Sequence, residues 1–235
     1  MANILSIVVP NYNEEKTIAT VIDKLLTLVI PDYPLEIIIV DDCSTDNSIA
    51  IINNYIKSDK VKLLRHEFNQ GKGAAIKTAI PHLNGAYTII QDADLEYDVN
   101  DIKKIIDYTV EQNNNNLVVY GSRNLNKDYK RNFSPYYWGV KLLTMVGNIL
   151  YNQKITDQYT CYKLIPTHLL KKINLQSSGF EMEAEITAKV SKLNYKIHEV
   201  PISYQGRSKK DGKKIKFVDA FKGLKTLLIA YKKYS

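Results

Sequence analysis

The chain has 235 residues, 45% of them hydrophobic, and a net charge of +7. That length suits one α/β domain with a full apolar core, and two distant cysteines, Cys43 and Cys161, exclude a disulfide framework and a zinc centre and fit a reducing compartment. The charge is local: Arg207 to Ser235 holds ten Lys or Arg against two Asp, so the body before it is close to neutral, which points to a localised anionic partner rather than to general nucleic-acid binding.

The N-terminus runs directly into Ile4, Leu5, Ser6, Ile7, Val8 and Val9. With no basic segment and no cleavage site, no signal peptide is expected, and no apolar run nears the roughly 18 residues of a spanning helix. The expected location is cytoplasmic, soluble or peripheral on the cytoplasmic face of a membrane. Residues 5–10 read as a buried strand, apolar without alternation. Asn13 is placed to cap a helix running to about Leu28, with Ile18, Val21, Ile22, Leu25 and Leu26 on one face. Residues 35–40 form a second buried strand that closes in Asp41 and Asp42, and Cys43 to Asp46 turns into a helix reaching about Tyr55. Residues 61–64 are a third strand. Asn69, Gln70, Gly71, Lys72 and Gly73 then open a helix to Ile80, and amides at such a helix start suit a phosphate. The spacing matches neither a P-loop nor a dinucleotide fingerprint, and a glycine turn with a solvated lysine is the competing reading.

Residues 87–91 are a fourth strand. Asp92, Asp94 and Glu96 follow at alternate positions, so an extended backbone would turn them to one side. Carboxylates that close together need a cation between them, and a hard divalent ion that also holds a diphosphate would supply it. For the Asp-x-Asp alone, helix capping is the stronger explanation. The wider pattern changes that. Strand and helix alternate in steps of about thirty residues, which implies a mostly parallel, Rossmann-like sheet with helices on both faces. Ligands of such sheets gather at the carboxyl ends of the strands, and polar clusters stand at three of those ends: Asn11 to Glu14, Asp41 with Asp42, and Asp92 with Asp94.

A helix over residues 100–111 buries Ile102, Ile105 and Ile106, and a fifth strand over 117–120 ends in Gly121, Ser122 and Arg123. The polar stretch 124–133 reads as a mobile loop able to fold over a ligand. The helix over 136–151 carries the single tryptophan, Trp138, for which core or interface packing is expected. Glu181, Glu183 and Glu185 open a helix to about Leu193, where carboxylates favoured by the helix dipole and carboxylates facing an acceptor are both open readings. A last helix over about 214–233 sets Phe217, Val218, Phe221, Leu224, Leu228 and Tyr231 near one face among lysines, a pattern that fits either an anionic membrane surface or docking on the core. His66, His82, His168 and His198 are scattered without metal spacing and receive no function.

Three later segments carry a specific resemblance: Thr156 to Lys163, Gly179 to Lys189, and Glu199 to Tyr204. With Pro10 to Glu14, Val40 to Asp46, Gly71 to Gly73, Asp92 to Asp94, Gly121 to Arg123, Gly206 to Ser208 and Asp211 to Ile215, they resemble, in order and over nearly the whole chain, the family-2 glycosyltransferases. The nearest group is similar to dolichyl-phosphate mannose synthase and the bacterial polyprenyl-phosphate sugar transferases. The resemblance implies one GT-A domain: a nucleotide-sugar-binding half over 1–123, an acceptor half over 124–206 and a basic helical tail over 207–235. It implies inverting transfer from a UDP- or GDP-sugar with Mg²⁺ or Mn²⁺. By the same resemblance Pro10, Tyr12 and Glu14 line the nucleoside pocket, Asp42 with Asp41 meets the base, Lys72 approaches the nucleotide, and Asp92, Ala93 and Asp94 hold ribose, metal and diphosphate. Asp94 is the first metal ligand, with Asp92 and Glu96 beside it.

The chemistry then divides on the acceptor. A lipid phosphate is already an anion and needs only cations to hold it, for which Arg123, Arg207 and Lys213 stand ready; a glycan hydroxyl needs a carboxylate base, for which Asp157 is best placed by motif. For Asp157 a loop carboxylate bonded to backbone amides is the plain alternative. The resemblance departs at Tyr159, where relatives carry an acid, at Cys43, where they carry glycine, and at Glu96, more often another polar residue. A non-catalytic nucleotide or RNA binder is the remaining alternative, but no RNA-binding signature accompanies the tail, and no nucleic-acid partner is expected.

Overall fold

The structure, a computed structural model, describes residues 3–114, 116–129, 135–207 and 217–233. Its centre is a seven-stranded sheet built of β1 (Leu5–Asn11), β2 (Leu35–Asp41), β3 (Val61–Arg65), β4 (Tyr87–Ile90), β5 (Val118–Ser122), β6 (Lys163–Pro166) and β7 (Ile197–Pro201), in the order β3-β2-β1-β4-β6-β5-β7. The four N-terminal strands pair in parallel, as does β5 with β7, and β6 runs antiparallel to both β4 and β5. The fifth predicted strand therefore does not lie beside the fourth. The four-residue β6 separates them, and its short apolar run has no period that would reveal it.

The apolar runs in β1 and β2 are fully interior, with Ile7, Val8, Val9, Ile37, Ile39 and Val40 excluded from solvent. α1 (Ile18–Thr27) buries Ile18, Val21, Ile22 and Leu25, the predicted face. Its start differs from expectation. Asn13 adopts φ +51°, a left-handed conformation that asparagine tolerates. Its side chain accepts from the Thr45 amide at 2.8 Å, so it ties two loops together and caps nothing. The helix after Cys43 is also shorter than expected: α2 covers only Ser48–Ile52. α3 (Lys72–Ala79) packs on β1 and β2, and α4 (Asp101–Glu111) on β5 and β7.

β1, β2 and β3 end in register, Asn11 opposite Asp41 and Asp41 opposite Arg65, while β4 stops opposite Val8. Their carboxyl ends form one edge. Beyond it stand α5 (Pro135–Tyr151), α7 (Met182–Lys192) and α8 (Phe217–Lys233), which pack on one another, while α6 (Thr167–Lys172) lies at the opposite edge, its Thr167 amide donating to the Ala86 carbonyl just before β4. Residues 208–216 lie outside the described residues, and Lys213 and the expected helix start at Lys214 with them.

α8 does dock on the body, but not by the expected face. Gly223, Leu227 and Ala230 point inward against Ala184 and Ala188 of α7 and against Tyr151, whose hydroxyl donates to the Leu227 carbonyl at 2.6 Å. Gly223, Leu227 and Ala230, at i, i+4 and i+7, make the seam, so Phe221, Leu228 and Tyr231 are left outward, with Ile229. α5 repeats the arrangement. Leu143, Thr144 and Gly147 turn inward, and Trp138, Leu142, Met145 and Ile149 form an exposed stripe. Trp138, expected to pack in the core or at an interface, is not in the core: it is 55% exposed, against the Tyr137 ring and beneath the Lys141 ammonium. Two glycines receive side chains from the loop before β6. A Cβ at Gly147 would overlap the Gln158 carboxamide, and one at Gly223 the Tyr159 hydroxyl.

Truncating the seam tests this packing. Leu227→Ala removes a side chain with no solvent exposure and is expected to lower the unfolding free energy by about 2–5 kcal/mol, read by urea denaturation. A loss under about 0.5 kcal/mol, typical of a surface position, would show that α8 is not held there.

Candidate active site

One cleft opens at the carboxyl edge of the sheet. Pro10, Asn11, Tyr12, Glu14, Asp42, Lys72, Ala75, Asp92, Ala93, Asp94, Glu96, Phe180 and Arg207 line it. Of the residues singled out from the sequence, Pro10, Tyr12, Glu14, Asp42, Lys72, Asp92, Ala93, Asp94, Glu96 and Arg207 come together here. Asp41, Arg123 and Asp157 are not among the lining residues.

The backbone after β4 is not extended. Leu95 takes φ +60°, and the Glu96 amide donates to Asp94 Oδ1 at 3.1 Å, so a tight turn gathers the carboxylates. Burial pushes the Asp94 carboxyl up to about 7, with Asp92 and Glu96 adding repulsion and Arg207 drawing it back down. Arg207 is the local counter-charge. Its guanidinium donates to both oxygens of Glu14 at 2.9 and 3.1 Å and to Asp94 Oδ2 at 2.9 Å, and its backbone amide donates to Glu96. The residue expected to hold an acceptor thus stands among the carboxylates expected to meet the donor. Hard carboxylate oxygens short of positive charge suit Mg²⁺ or Mn²⁺. Among the described residues no three His, Cys, Asp or Glu converge as a complete metal shell. The donor set therefore fits an ion that takes its other ligands from phosphate and water, as Mg²⁺ commonly does.

The glycine loop is built differently from the expected anion cradle. Asp42 takes its amides: Gln70 N donates to Oδ1 and Gly71 N to Oδ2, each at 2.7 Å. Gly71 sits at φ +95°, and a Cβ there would strike the Ser178 carbonyl, so only glycine fits. His66 was missed by sequence reasoning, yet its Nδ1 lies 2.7 Å from Asp42 Oδ1 and its Nε2 2.8 Å from the Thr78 hydroxyl. Nothing but fold brings that histidine to β2, since 24 residues separate it from Asp42. Asp41 is wholly buried and holds the loop from within, accepting from Asn11 at 2.8 Å and from the Ser44 amide at 3.0 Å.

Lys72 reaches into the cleft between two carboxylates, 2.6 Å from Asp92 and 3.4 Å from Glu183. Burial lowers the proton affinity of its ammonium, but Asp92, with Cys161 and Glu183 after it, raises that affinity well above the ordinary lysine range. Glu185 serves structure, accepting from the Gln176 and Ser177 amides and pairing with Lys189. Arg123 and Asp157 form a closed pair. Nε and Nη2 of the arginine donate to the two carboxylate oxygens at 2.7 Å each, and the Arg123 amide adds a third bond at 3.0 Å. Asp157 is fully buried. The Tyr204 ring lies 4.9 Å from the guanidinium, and Tyr129 packs edge-on against Tyr204.

The chain matches the family profile described as Glycosyl transferase family 2 over residues 6–173. It belongs to that family. Curated relatives include the dolichyl-phosphate beta-glucosyltransferase of Trichomonas vaginalis, 29% identical across 90% of this chain and 68% of the relative. The enzyme of the same name from Saccharomyces cerevisiae is 28% identical across 96% and 73%. Among solved structures, glucosyl-3-phosphoglycerate synthase from Mycobacterium tuberculosis, in complex with Mn²⁺, UDP-glucose and phosphoglyceric acid, superposes with a TM-score of 0.72 at 15% identity. That match covers 98% of this chain and 80% of the other. S. aureus TarS in complex with UDP-GlcNAc superposes with a TM-score of 0.61 at 18% identity, over 96% and 66%. At such identities the superpositions speak for the fold, which is GT-A. Family-2 membership makes the chain a glycosyltransferase, and the cleft at the sheet edge is its candidate centre.

Asp94 leaves a signature in stability. Its proton is held more tightly folded than unfolded, so its favourable contribution is complete at low pH and is lost as pH rises from about 4 to about 7. Asp94→Asn removes that loss. Relative to wild type, the variant is expected to gain on the order of 2–4 kcal/mol between pH 4 and pH 8, read as the difference in urea unfolding without added metal. A difference that does not change with pH would contradict the crowding of carboxylates.

Proposed function

We propose that this enzyme moves a sugar from a UDP- or GDP-sugar to a polyprenyl or dolichyl phosphate, inverting the anomeric carbon. The observation that carries this over transfer to a glycan hydroxyl is the closed Arg123–Asp157 pair. A hydroxyl acceptor needs a base exposed to it, and Asp157 is fully buried with both oxygens turned to Arg123. A lipid phosphate needs none. The names of the curated relatives point the same way.

In this reading residues 1–123 bind the nucleotide sugar and 124–206 meet the acceptor. Pro10, Tyr12, Glu14 and Asp42 receive the nucleoside, while Lys72 faces the diphosphate. A Mg²⁺ or Mn²⁺ ion would be held at Asp94, with Asp92 and Glu96 beside it, and would neutralise the departing nucleoside diphosphate. One acceptor phosphate oxygen forms the new bond to the anomeric carbon as the bond to the β-phosphate breaks, and the electron pair leaves with the diphosphate. Arg123, braced by Asp157 and Tyr204, orients the acceptor phosphate. Arg207 exchanges its carboxylate partners for phosphate oxygens.

A membrane surface is the natural place for such an acceptor. No described helix is long and apolar enough to cross a bilayer. The outward stripes of α5 and α8, with Lys141, Lys222, Lys225 and Lys232 on the same two helices, have the composition of an interfacial surface.

Turnover of a panel of UDP- and GDP-sugars with Mg²⁺ or Mn²⁺ and a short polyprenyl phosphate is expected for at least one donor. Asp94→Ala should lower it by at least about 10²-fold, and no turnover with any donor would overturn the proposal. Asp157→Asn separates the acceptor classes. It should retain measurable transfer to the lipid phosphate, whereas an enzyme using Asp157 as base would lose about 10²–10⁴-fold. Co-sedimentation with anionic vesicles is expected at low salt and should weaken with added salt; absence of binding at low salt would sink the membrane reading.

A further inference from the structure

Behind the cleft lies a charge that no part of the chemistry above uses. Lys163, on β6, has no solvent exposure. Its ammonium donates to the Gln158 carbonyl at 2.9 Å, to the Thr160 carbonyl at 2.5 Å and to Glu183 Oε2 at 2.5 Å, so all three protons are placed. The Tyr120 ring lies 4.7 Å beneath it. Glu183, itself only 3% exposed, is fixed by that bond with its other oxygen, Oε1, turned to Lys72 at 3.4 Å. Lys72 in turn meets Asp92 at 2.6 Å. The signs alternate along a line that runs from the core to the diphosphate side of the cleft: Lys163, Glu183, Lys72, Asp92.

We propose that Lys163 is a positioning residue for donor binding: by occupying one oxygen of Glu183 it keeps that carboxylate from drawing Lys72 out of the cleft. The argument is one of competition. Lys72 carries a single ammonium between two carboxylates, and it rests closer to Asp92 because Glu183 is already paired. Remove Lys163, and Glu183 becomes a buried carboxylate whose one remaining cationic neighbour among the described residues is Lys72. The interior strengthens such an attraction well beyond its value in water. Lys72 then shifts toward Glu183 and away from the place where a diphosphate would meet it. The same logic explains why a charge was placed on β6 at a depth where an apolar residue of equal length would pack with less desolvation. Direct binding of Lys163 to a substrate is excluded by its burial and by its three filled donors.

This inference rests on the proposed nucleoside diphosphate sugar donor, so the test has an arm that does not. Lys163→Met keeps length and removes charge, Glu183→Gln keeps shape and removes charge, and the double variant removes both. For whichever of UDP or GDP the wild type binds, calorimetry on protein confirmed folded by circular dichroism should show Lys163→Met weakened by on the order of 10²-fold. The double variant should recover most of that loss, because a neutral carboxamide in place of the Glu183 carboxylate no longer competes for Lys72. Steady-state turnover should show the defect chiefly in the donor KM. Equal or worse binding by the double variant would overturn the proposal, since a lysine that only fills space gives no such reversal. The second arm reads Lys72 directly by competitive acetylation and mass spectrometry without ligand. Glu183→Gln should speed its modification several-fold at constant pH, and Lys163→Met should slow it. Unchanged rates in both variants would overturn the proposal even if the protein turned over no donor at all. Should Lys163→Met fail to fold, Glu183→Gln and the double variant still decide: both must label Lys72 faster than wild type.

Discussion

Crowded negative charge governs this molecule. The cleft lining holds five carboxylates, from Glu14, Asp42, Asp92, Asp94 and Glu96, against two cationic side chains, Lys72 and Arg207. Left alone, such a set would take up protons, and Asp94 is already drawn that way. The fold answers by bringing in cations from distant parts of the chain. Arg207 arrives from 113 residues beyond Asp94, and Lys72 from the start of α3. On the proposed reading, in which this site receives a nucleoside diphosphate sugar, a further cation would enter with that polyanion.

Asp42 extends the same charge matching to the backbone. One carboxylate at the end of β2 satisfies the Gln70 and Gly71 amides and meets His66, and so fixes the loop from which Lys72 springs. The glycine conformation and the close approach of Ser178 then leave the loop a single shape. On the proposed reading, the nucleoside side at Asp42 and the phosphate side at Lys72 are joined through the Gly71 amide rather than assembled independently.

Much of this was legible in the chain. The apolar runs of β1 and β2 gave the buried parallel strands, and the polar residues immediately after them gave the edge where the cleft opens. What was not legible depends on contacts far apart in sequence or on backbone conformations that residue type only permits. Asn13 looked like a cap because asparagine caps helices, but its left-handed φ turned its side chain to another loop. β6 is too short to show a period. The alternation after β4 suggested an extended backbone, whereas Leu95 bends it into a turn, and the carboxylates meet all the same. Arg207 and Asp157 were both picked out by motif, but their partners, Glu14 and Arg123, could be assigned only in three dimensions. For α8, hydrophobicity marked residues that point outward, because two of the three seam positions, Gly223 and Ala230, weigh little in an apolar pattern and leave Leu227 alone to mark the inner face.

Those same glycines have a mechanical consequence. The side chains seated at Gly147 of α5 and Gly223 of α8 belong to Gln158 and Tyr159, the residues directly after Asp157. An α-helix advances by about 100° per residue, so a turn of either helix by one position would replace a hole with a side chain and push on the strand of backbone that carries Asp157. Two helices that present apolar stripes to the outside are thus keyed, by the absence of two Cβ atoms, into the loop that braces Arg123. The outer helix faces and the loop that holds the arginine thus belong to one continuous stretch of packing.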